Sequence, residues 1–263
     1  MELWQIIVAL IQGLVEWLPI SSEGQLVLFL YNFNLVPPED IVSLVVWLHL
    51  GTALAVIVRY PRVILDILSL KDRQLFRLLL FATLSTAITA VPLYFFLRDS
   101  LISFEFVNVL VGGLLFITAF VLYLPTRSGN DSVDTAKDVD DREAVSTGLI
   151  QGLAVLPGLS RSGVTISTLL MQRIDKETAM RFSFLMSVPA VLAIFILDVL
   201  SGSTLPPDVS TLDLIVIEGV VFATGLLSIE FLLRLVRRIS FWKLCLVLAI
   251  IAILFGIPAL LPT

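Results

Sequence analysis

Long apolar runs alternate along the chain with short apolar arms that stop at proline. Runs at about 41–58, 78–97 and 104–124, and again at about 181–199, 213–233 and 244–260, are each long enough to cross a hydrocarbon core of roughly 30 Å as a helix. Two places break the pattern. Residues 4–18 form an arm that ends at Pro19; at 1.5 Å per residue it reaches only about 22 Å. A shorter arm follows at about 22–33, and residues 148–172 repeat the arm–turn–arm pattern. Two short arms joined by a polar turn predict a re-entrant hairpin, because non-helical backbone is tolerated at membrane depth only inside protein or beside water. The expected fold is an all-α integral membrane protein of ten helices, six transmembrane helices plus two re-entrant helix hairpins.

The hairpins resemble each other. LIQGLVEWLPISSEG at 10–24 parallels LIQGLAVLPGLSRSG at 149–163. Phe81-Ala-Thr recurs at 222–224, Ile102-Ser-Phe at 239–241, and the run from Leu48 parallels the run from Leu185, all at offsets of 137 to 141 residues. Four matches in order at a nearly constant offset indicate duplication. The chain reads as one membrane domain, 1–263, with repeat one at 1–124, a polar loop at 125–147 and repeat two at 148–263. Each half holds three spans, an odd number, so the second half must enter from the opposite face as an inverted-topology repeat.

Charge gives an independent test of that topology. Segments 59–77, 125–147, 173–181 and 234–243 fall on one side and carry 15 of the 17 Lys and Arg residues. The positive-inside rule then places both termini outside the cytoplasm of a multi-pass plasma-membrane protein. Composition agrees: 58% of residues are hydrophobic, 15% are charged and the mean hydropathy is +1.01, whereas soluble domains carry about a quarter charged residues. The net charge of −5 comes from the acidic loop, and no nucleic-acid partner is expected. Cys245 is the only cysteine, which excludes an intramolecular disulfide and a Cys metal cluster; a small buried hydrophobe is expected there. The first residues lack Lys and Arg, so no cleavable signal peptide is expected. A homodimer is left open.

Inverted hairpins bring their turns together near the midplane. The outgoing helix starts at Ser21 or Ser22 in one turn and at Ser160 or Ser162 in the other, and Ser is a favoured N-cap. Two helix N-termini facing one cavity make an anion site suited to phosphate, with Gly24 and Gly163 admitting close approach of the backbone. The turns differ in chemistry. Gln12 and Glu16 share one helix face at i, i+4, and offer a carboxylate for Mg²⁺ or Ca²⁺ or for a general base. Val155 stands near the position matching Glu16, and the second turn carries Arg161, a bidentate fork for phosphate oxygens. Ionisable groups at membrane depth usually serve function; the competing reading is a structural ion pair between Glu16 and Arg161. Elsewhere, Glu218 and Arg98 are expected to pair, and Arg234, Arg237, Arg238 and Lys243 to face anionic headgroups. His49, the sole histidine, is placed in the site lining.

At these residues the sequence resembles the undecaprenyl-diphosphate phosphatase family of the bacitracin-resistance type. The family's Glu/Gln-x-x-x-Glu is met by Gln12 and Glu16, and its Leu-Pro-x-Ser-Ser by Leu18 to Ser22. Its Pro-Gly-x-Ser-Arg-Ser-x-x-Thr is met in full by Pro157, Gly158, Ser160, Arg161, Ser162 and Thr165, and the Phe182-Ser-Phe and Pro189 run is also similar. The resemblance implies removal of the terminal phosphate from a long-chain polyprenyl diphosphate, which regenerates the carrier used in cell-wall or glycan assembly. It implies functional roles for Gln12, Glu16, Ser22, Ser160, Arg161 and Thr165. Catalysis is expected from Glu16, Ser22, Arg161 and Gln12, with the cation on Gln12 and Glu16. Substrate is expected on Ser21, Ser160, Arg161, Ser162, Gly163 and Thr165, with Ser22 as nucleophile or as orienter of the attacking water. The sequence departs from the pattern at Gln25, where many members have His, and at Glu23, where a small hydroxyl is common; a mechanism without histidine is the preferred expectation. Transport or flipping of polyprenyl phosphate is the alternative, since inverted repeats with broken helices are also a transporter signature.

Overall fold

The computed structural model describes residues 2–100, 107–127, 138–202, 209–235 and 240–260. These form eleven helices and no strand among the described residues: α1 (Leu3–Val15), α2 (Ser22–Asn32), α3 (Pro38–Arg59), α4 (Pro61–Leu68), α5 (Arg73–Ser100), α6 (Val107–Arg127), α7 (Asp141–Leu153), α8 (Arg161–Met171), α9 (Lys176–Leu200), α10 (Thr211–Leu235) and α11 (Phe241–Leu260). Ten of them match the expected elements. The addition, α4, begins at Pro61 directly after α3, because proline suits the first turn of a helix. Asp140 caps α7 by accepting from the Arg142 and Glu143 amides, with Glu143 completing a capping box. Residues 141–147 are therefore helix where the sequence reading placed loop. The remainder of that loop at 128–137, the Ile102-Ser-Phe match and the side chains of Arg98, Arg234, Arg237 and Arg238 lie outside the described residues.

Five helices are long and apolar enough to cross a membrane, at Asp40–Arg59, Arg73–Leu97, Val107–Arg127, Lys176–Leu200 and Thr211–Phe231; the described part of the sixth expected span, Phe241–Gly256, is a shorter apolar helix. Large apolar side chains line their outer faces. Leu84 and Ile88 on α5, Phe116 and Phe120 on α6, and Leu227 and Phe231 on α10 are all exposed, at the i, i+4 spacing that keeps them on one stripe. Such patches are far beyond what a soluble monomer tolerates and suit a bilayer.

Without a strong hydrophobic drive between spans, small residues and hydroxyls decide which helices touch. The short arm α1 lies on α10. A Cβ at Gly13 would come 1.9 Å from Thr224 Oγ1, Ser228 donates to the Gly13 carbonyl at 2.7 Å, and Trp17 Nε1 donates to the Gly225 carbonyl at 3.0 Å. The short arm α7 lies on α5 in the same manner. A Cβ at Gly152 would come 2.0 Å from Thr89 Oγ1, and Thr86 and Thr89 donate to the Gly148 and Leu149 carbonyls at 3.0 and 2.9 Å. Each short arm is thereby locked onto a long helix, and the turn at its end is held in the interior.

Candidate functional site: two capped turns around one cavity

At the first turn, α1 ends at Glu16 and the chain re-enters helix through Ser21, whose Oγ accepts from the Gly24 amide at 3.2 Å. At the second turn, Ser160 Oγ accepts from the Gly163 amide at 3.1 Å. Of the two serines considered at each turn, Ser21 and Ser160 are thus the N-caps. Ser21 also reaches across: its Oγ accepts from the Gly158 amide at 3.1 Å. It does so from a left-handed backbone, φ 60°, facing Gly158 at φ 114°. A left-handed non-glycine residue costs about 1–2 kcal/mol, which the cap and the cross-turn bond offset. Ser162 Oγ donates back to the Leu18 carbonyl at 3.3 Å, and Thr118 of α6 braces the second turn through the Gly158 carbonyl and the Ser160 amide at 2.9 and 3.1 Å.

The stitched turns bring the expected chemistry together. Glu16, 5% exposed, forms an ion pair through Oε1 with Arg161. Its Oε2 accepts from Ser22 Oγ at 2.6 Å and from Gln12 Nε2 at 3.1 Å. His49 Nε2 of α3 lies 3.4 Å from the same oxygen, while its Nδ1 lies 2.6 Å from the Val45 carbonyl. A carbonyl oxygen only accepts, so Nδ1 carries a proton, and the Nε2–carboxylate contact needs another proton between its partners. Arg161 also donates to the Ser183 carbonyl at 3.3 Å and lies 5.4 Å from the centre of the Trp17 ring, which in turn packs edge-on against Phe184. The fork is thus aimed by hydrogen bond, ring and carboxylate together.

A cavity of about 870 Å³ opens on this cluster. Glu16, Ser21, Ser22, Ser160 and Arg161 line it. Gln12, Ser162, Gly163 and Thr165 are buried behind that surface, where Thr165 bonds the Arg161 carbonyl and Ser183 Oγ at 2.8 and 2.7 Å. They shape the turns rather than face the cavity. The first residues of α2 and α8 share the wall, so two positive helix ends, a guanidinium and hydroxyls meet at one place. Such an arrangement suits a phosphate group, with a carboxylate and a hydroxyl beside it.

The sequence model of the family described as bacitracin resistance protein BacA matches residues 5–254. The chain belongs to this family. An undecaprenyl-diphosphatase of Methanothrix thermoacetophila is 38% identical over 248 residues, 94% of each chain. One from Methanopyrus kandleri is 36% identical over 98% of this chain and 97% of its own, and one from Haloarcula marismortui is 35% identical over 96% of each.

Within this BacA-family chain, His49 occupies the cavity wall as expected of it. Gln25, at the position where histidine is common, turns its amide to the Ile20 carbonyl at 3.4 Å. Glu23, Gln151, Tyr94 and Ser187 also line the cavity and were missed from the sequence. Gln151 had a signal, since it matches Gln12 between the two motifs. Glu23 had one too, a carboxylate directly after the paired serines. Tyr94 and Ser187 carried none, because nothing in an apolar span reveals which face meets a cavity. Cys245 is buried as expected and its thiol donates to the Pro19 carbonyl at 2.9 Å, tying α11 to the first turn. Glu218 packs on Gly51 of α3, where a Cβ would come 2.8 Å from its Oε2.

Proposed function

We propose that this chain is a multi-pass membrane enzyme that hydrolyses undecaprenyl diphosphate, or a similar long-chain polyprenyl diphosphate, to the monophosphate and inorganic phosphate. The carrying observation is the convergence of Glu16, Ser22 and Arg161 from two separate turns onto one apolar-walled cavity. The curated relatives quoted above are named undecaprenyl-diphosphatase, and hydrolysis is favoured over transport. Transport would need the anion clamp alone; here a carboxylate is engaged with a hydroxyl at its centre, as a phosphoryl-transfer site requires.

In this reading the diphosphate sits at the two helix starts. Arg161 and the N-terminal amides of α2 and α8 hold its oxygens and the charge that develops on them. Glu16 receives the proton of a water, or of Ser22, as that oxygen attacks the terminal phosphorus; the bond to the bridging oxygen breaks and the lipid monophosphate leaves from the other side, taking the proton from Glu16. Where Ser22 is the attacking group, a water then cleaves its phosphate ester in the same way and inorganic phosphate leaves. The ion pair between Glu16 and Arg161 is then the resting state, which the incoming phosphate opens by competing for the guanidinium. His49 helps hold the Glu16 carboxylate, in place of the histidine that the resemblance expects at position 25.

A divalent cation, Mg²⁺ or Ca²⁺, is part of the proposal. Gln12 Oε1 is buried without a hydrogen-bond partner beside Glu16, and hard cations take such oxygens together with carboxylate and phosphate oxygens. Glu16 and Gln12 would hold it, and it would offset the charge of the diphosphate. The arms α1–α2 and α7–α8 are proposed to be re-entrant hairpins of an inverted repeat with both termini outside the cytoplasm. The reciprocal packing of α1 on α10 and of α7 on α5 supports this. A plasma-membrane location and a role in recycling a cell-wall lipid carrier go with the same reading, and a homodimer is compatible with it.

The test is phosphate release from a polyprenyl diphosphate by the purified protein in detergent, with and without chelator. Release that chelator suppresses and Mg²⁺ or Ca²⁺ restores supports the whole reading. Release that survives chelation removes the cation from it, and no release under either condition favours transport.

A further inference from the structure

We propose that the hydrocarbon tail of the substrate leaves the catalytic cavity sideways, through a gap between α5 and α9 that opens to the bilayer. This rests on the phosphatase reading above and adds where the lipid part of the substrate lies. The cavity has two kinds of wall. Its polar floor is the Glu16–Arg161 cluster; the rest of the lining sets His49, Thr86, Tyr94, Gln151 and Ser187 among Val42, Val45 and Val46 of α3, Ala90 of α5, and Val191 and Ile194 of α9. A diphosphate fits the charged floor, whereas a hydrocarbon chain loses no hydrogen bond along the Val, Ala and Ile side chains.

A second space of about 500 Å³ lies between α5 and α9. Thr86, Ala90, Ala190 and Ile194 line both spaces, so the two adjoin across these side chains. Burial falls away along the second one. Thr86 and Ala90 are buried, whereas Ala87 and Ala193, which line the same gap, are exposed. Beside them Ile88 and Ile196, 68% and 55% exposed, mark the lipid-facing surface. The gap exists because alanines face each other where larger side chains would interdigitate.

Two neighbouring seams are tightly packed. Between α3 and α9, Trp47 packs edge-on against Phe195 with ring centres 4.8 Å apart. Between α5 and α7, the glycine contacts at 148 and 152 leave no space. Further along the cavity axis, Asp198 of α9, 1% exposed, accepts from Ser43 of α3 at 2.8 Å and from Tyr94 of α5. A buried carboxylate in an apolar span is costly. This one joins three of the helices that line the cavity, α3, α5 and α9, and its partner Tyr94 is itself a lining residue. A tail too long for the cavity can therefore pass toward the α5–α9 gap, whose outer residues face lipid.

The test labels the wild-type protein in lipid vesicles with a polyprenyl monophosphate carrying a diazirine in its tail, followed by peptide mapping. Label on α5 and α9, competed away by unmodified polyprenyl diphosphate, is expected; absence of competed label from these helices overturns the proposal. A second measurement uses Ala193→Phe, which fills the mouth of the gap from an exposed position. The KM for the long-chain diphosphate should rise about tenfold relative to that for isopentenyl diphosphate, whose tail is too short to leave the cavity. Ile88→Phe, on the neighbouring lipid face, should leave that ratio alone. Equal changes for both substrates, or none, overturn the tail path while leaving the phosphatase reading intact. Absence of phosphate release from the wild type defeats the phosphatase reading itself.

Discussion

The first and second turns are built alike and equipped differently. Ser21 and Ser160 stand 139 positions apart, as do Gly24 and Gly163, and each serine caps the amide of its glycine. Between these shared points the side chains diverge. At the same spacing Glu16 corresponds to Val155, Ser22 to Arg161, and Glu23 to Ser162. The common part makes two anion-attracting helix starts. The divergent part puts the carboxylate and hydroxyl on one turn and the guanidinium on the other, so neither turn is a site alone. Strain is unequal too, since Ser21 is left-handed and Ser160 is extended. The first turn takes on that strain to reach Gly158, and in doing so it fastens the two turns together.

Substitutions that remove the divergent chemistry should have the largest effects. Glu16→Gln and Arg161→Lys should each lower kcat/KM for phosphate release by about 10²–10³, the usual loss when one stabilising group of a charged transition state is removed. Val155→Glu should not rescue Glu16→Gln, because a carboxylate on the second turn lacks Ser22 as its neighbour. If either single variant keeps full activity, the division of labour between the turns is wrong. Next in size, Ser22→Ala should lower the same constant by at least about tenfold, whereas Ser162→Ala, whose hydroxyl reaches the Leu18 carbonyl and the Ser160 hydroxyl but not Glu16, should stay within a few-fold. Equal effects at Ser22 and Ser162 would erase the distinction between the turns.

Stability should report on the shared architecture. At Gly158 a Cβ would lie 2.7 Å from the Val111 carbonyl, at a φ of 114°. Gly158→Ala should therefore cost about 2–3 kcal/mol, read as an earlier thermal transition in detergent. The smallest effects belong to the caps. Ser160→Ala should cost about 1 kcal/mol for its cap. Ser21→Ala should cost more because the Gly158 amide also loses its partner, and Ser21→Gly should cost less than Ser21→Ala because glycine accepts the left-handed backbone. A Ser21→Ala transition no lower than that of Ser160→Ala would show that the cross-turn bond contributes little.

Much of this was readable before the fold was known. The apolar runs located ten of the eleven helices, because a bilayer demands continuous apolar length. The helix missed, α4, is only eight residues long, and the boundary missed, Asp140 to Thr147, turned on a local capping box inside a polar stretch. Among the site residues, those in the two motifs were visible because two similar stretches, 10–24 and 149–163, stand out as a pattern. The partition between residues that line the cavity and residues that hold it was not visible. Gln12 and Thr165 lie in the motifs as plainly as Glu16, yet they are buried behind the cavity surface, where Gln12 bonds Glu16 and Thr165 bonds Ser183.

By itself, then, the sequence determined the membrane class, the two short arms and their serine caps, and the unequal placing of carboxylate and guanidinium. All of these are local, set by runs and spacings within a few tens of residues. Only the tertiary structure decided that Ser21 bonds Gly158, that His49 reaches Glu16 from α3, and that α5 and α9 leave a gap beside the site. Such contacts join residues far apart in the chain. They depend on which helix faces meet, and between apolar spans that choice rests on a few glycines, alanines and hydroxyls rather than on hydrophobic pattern.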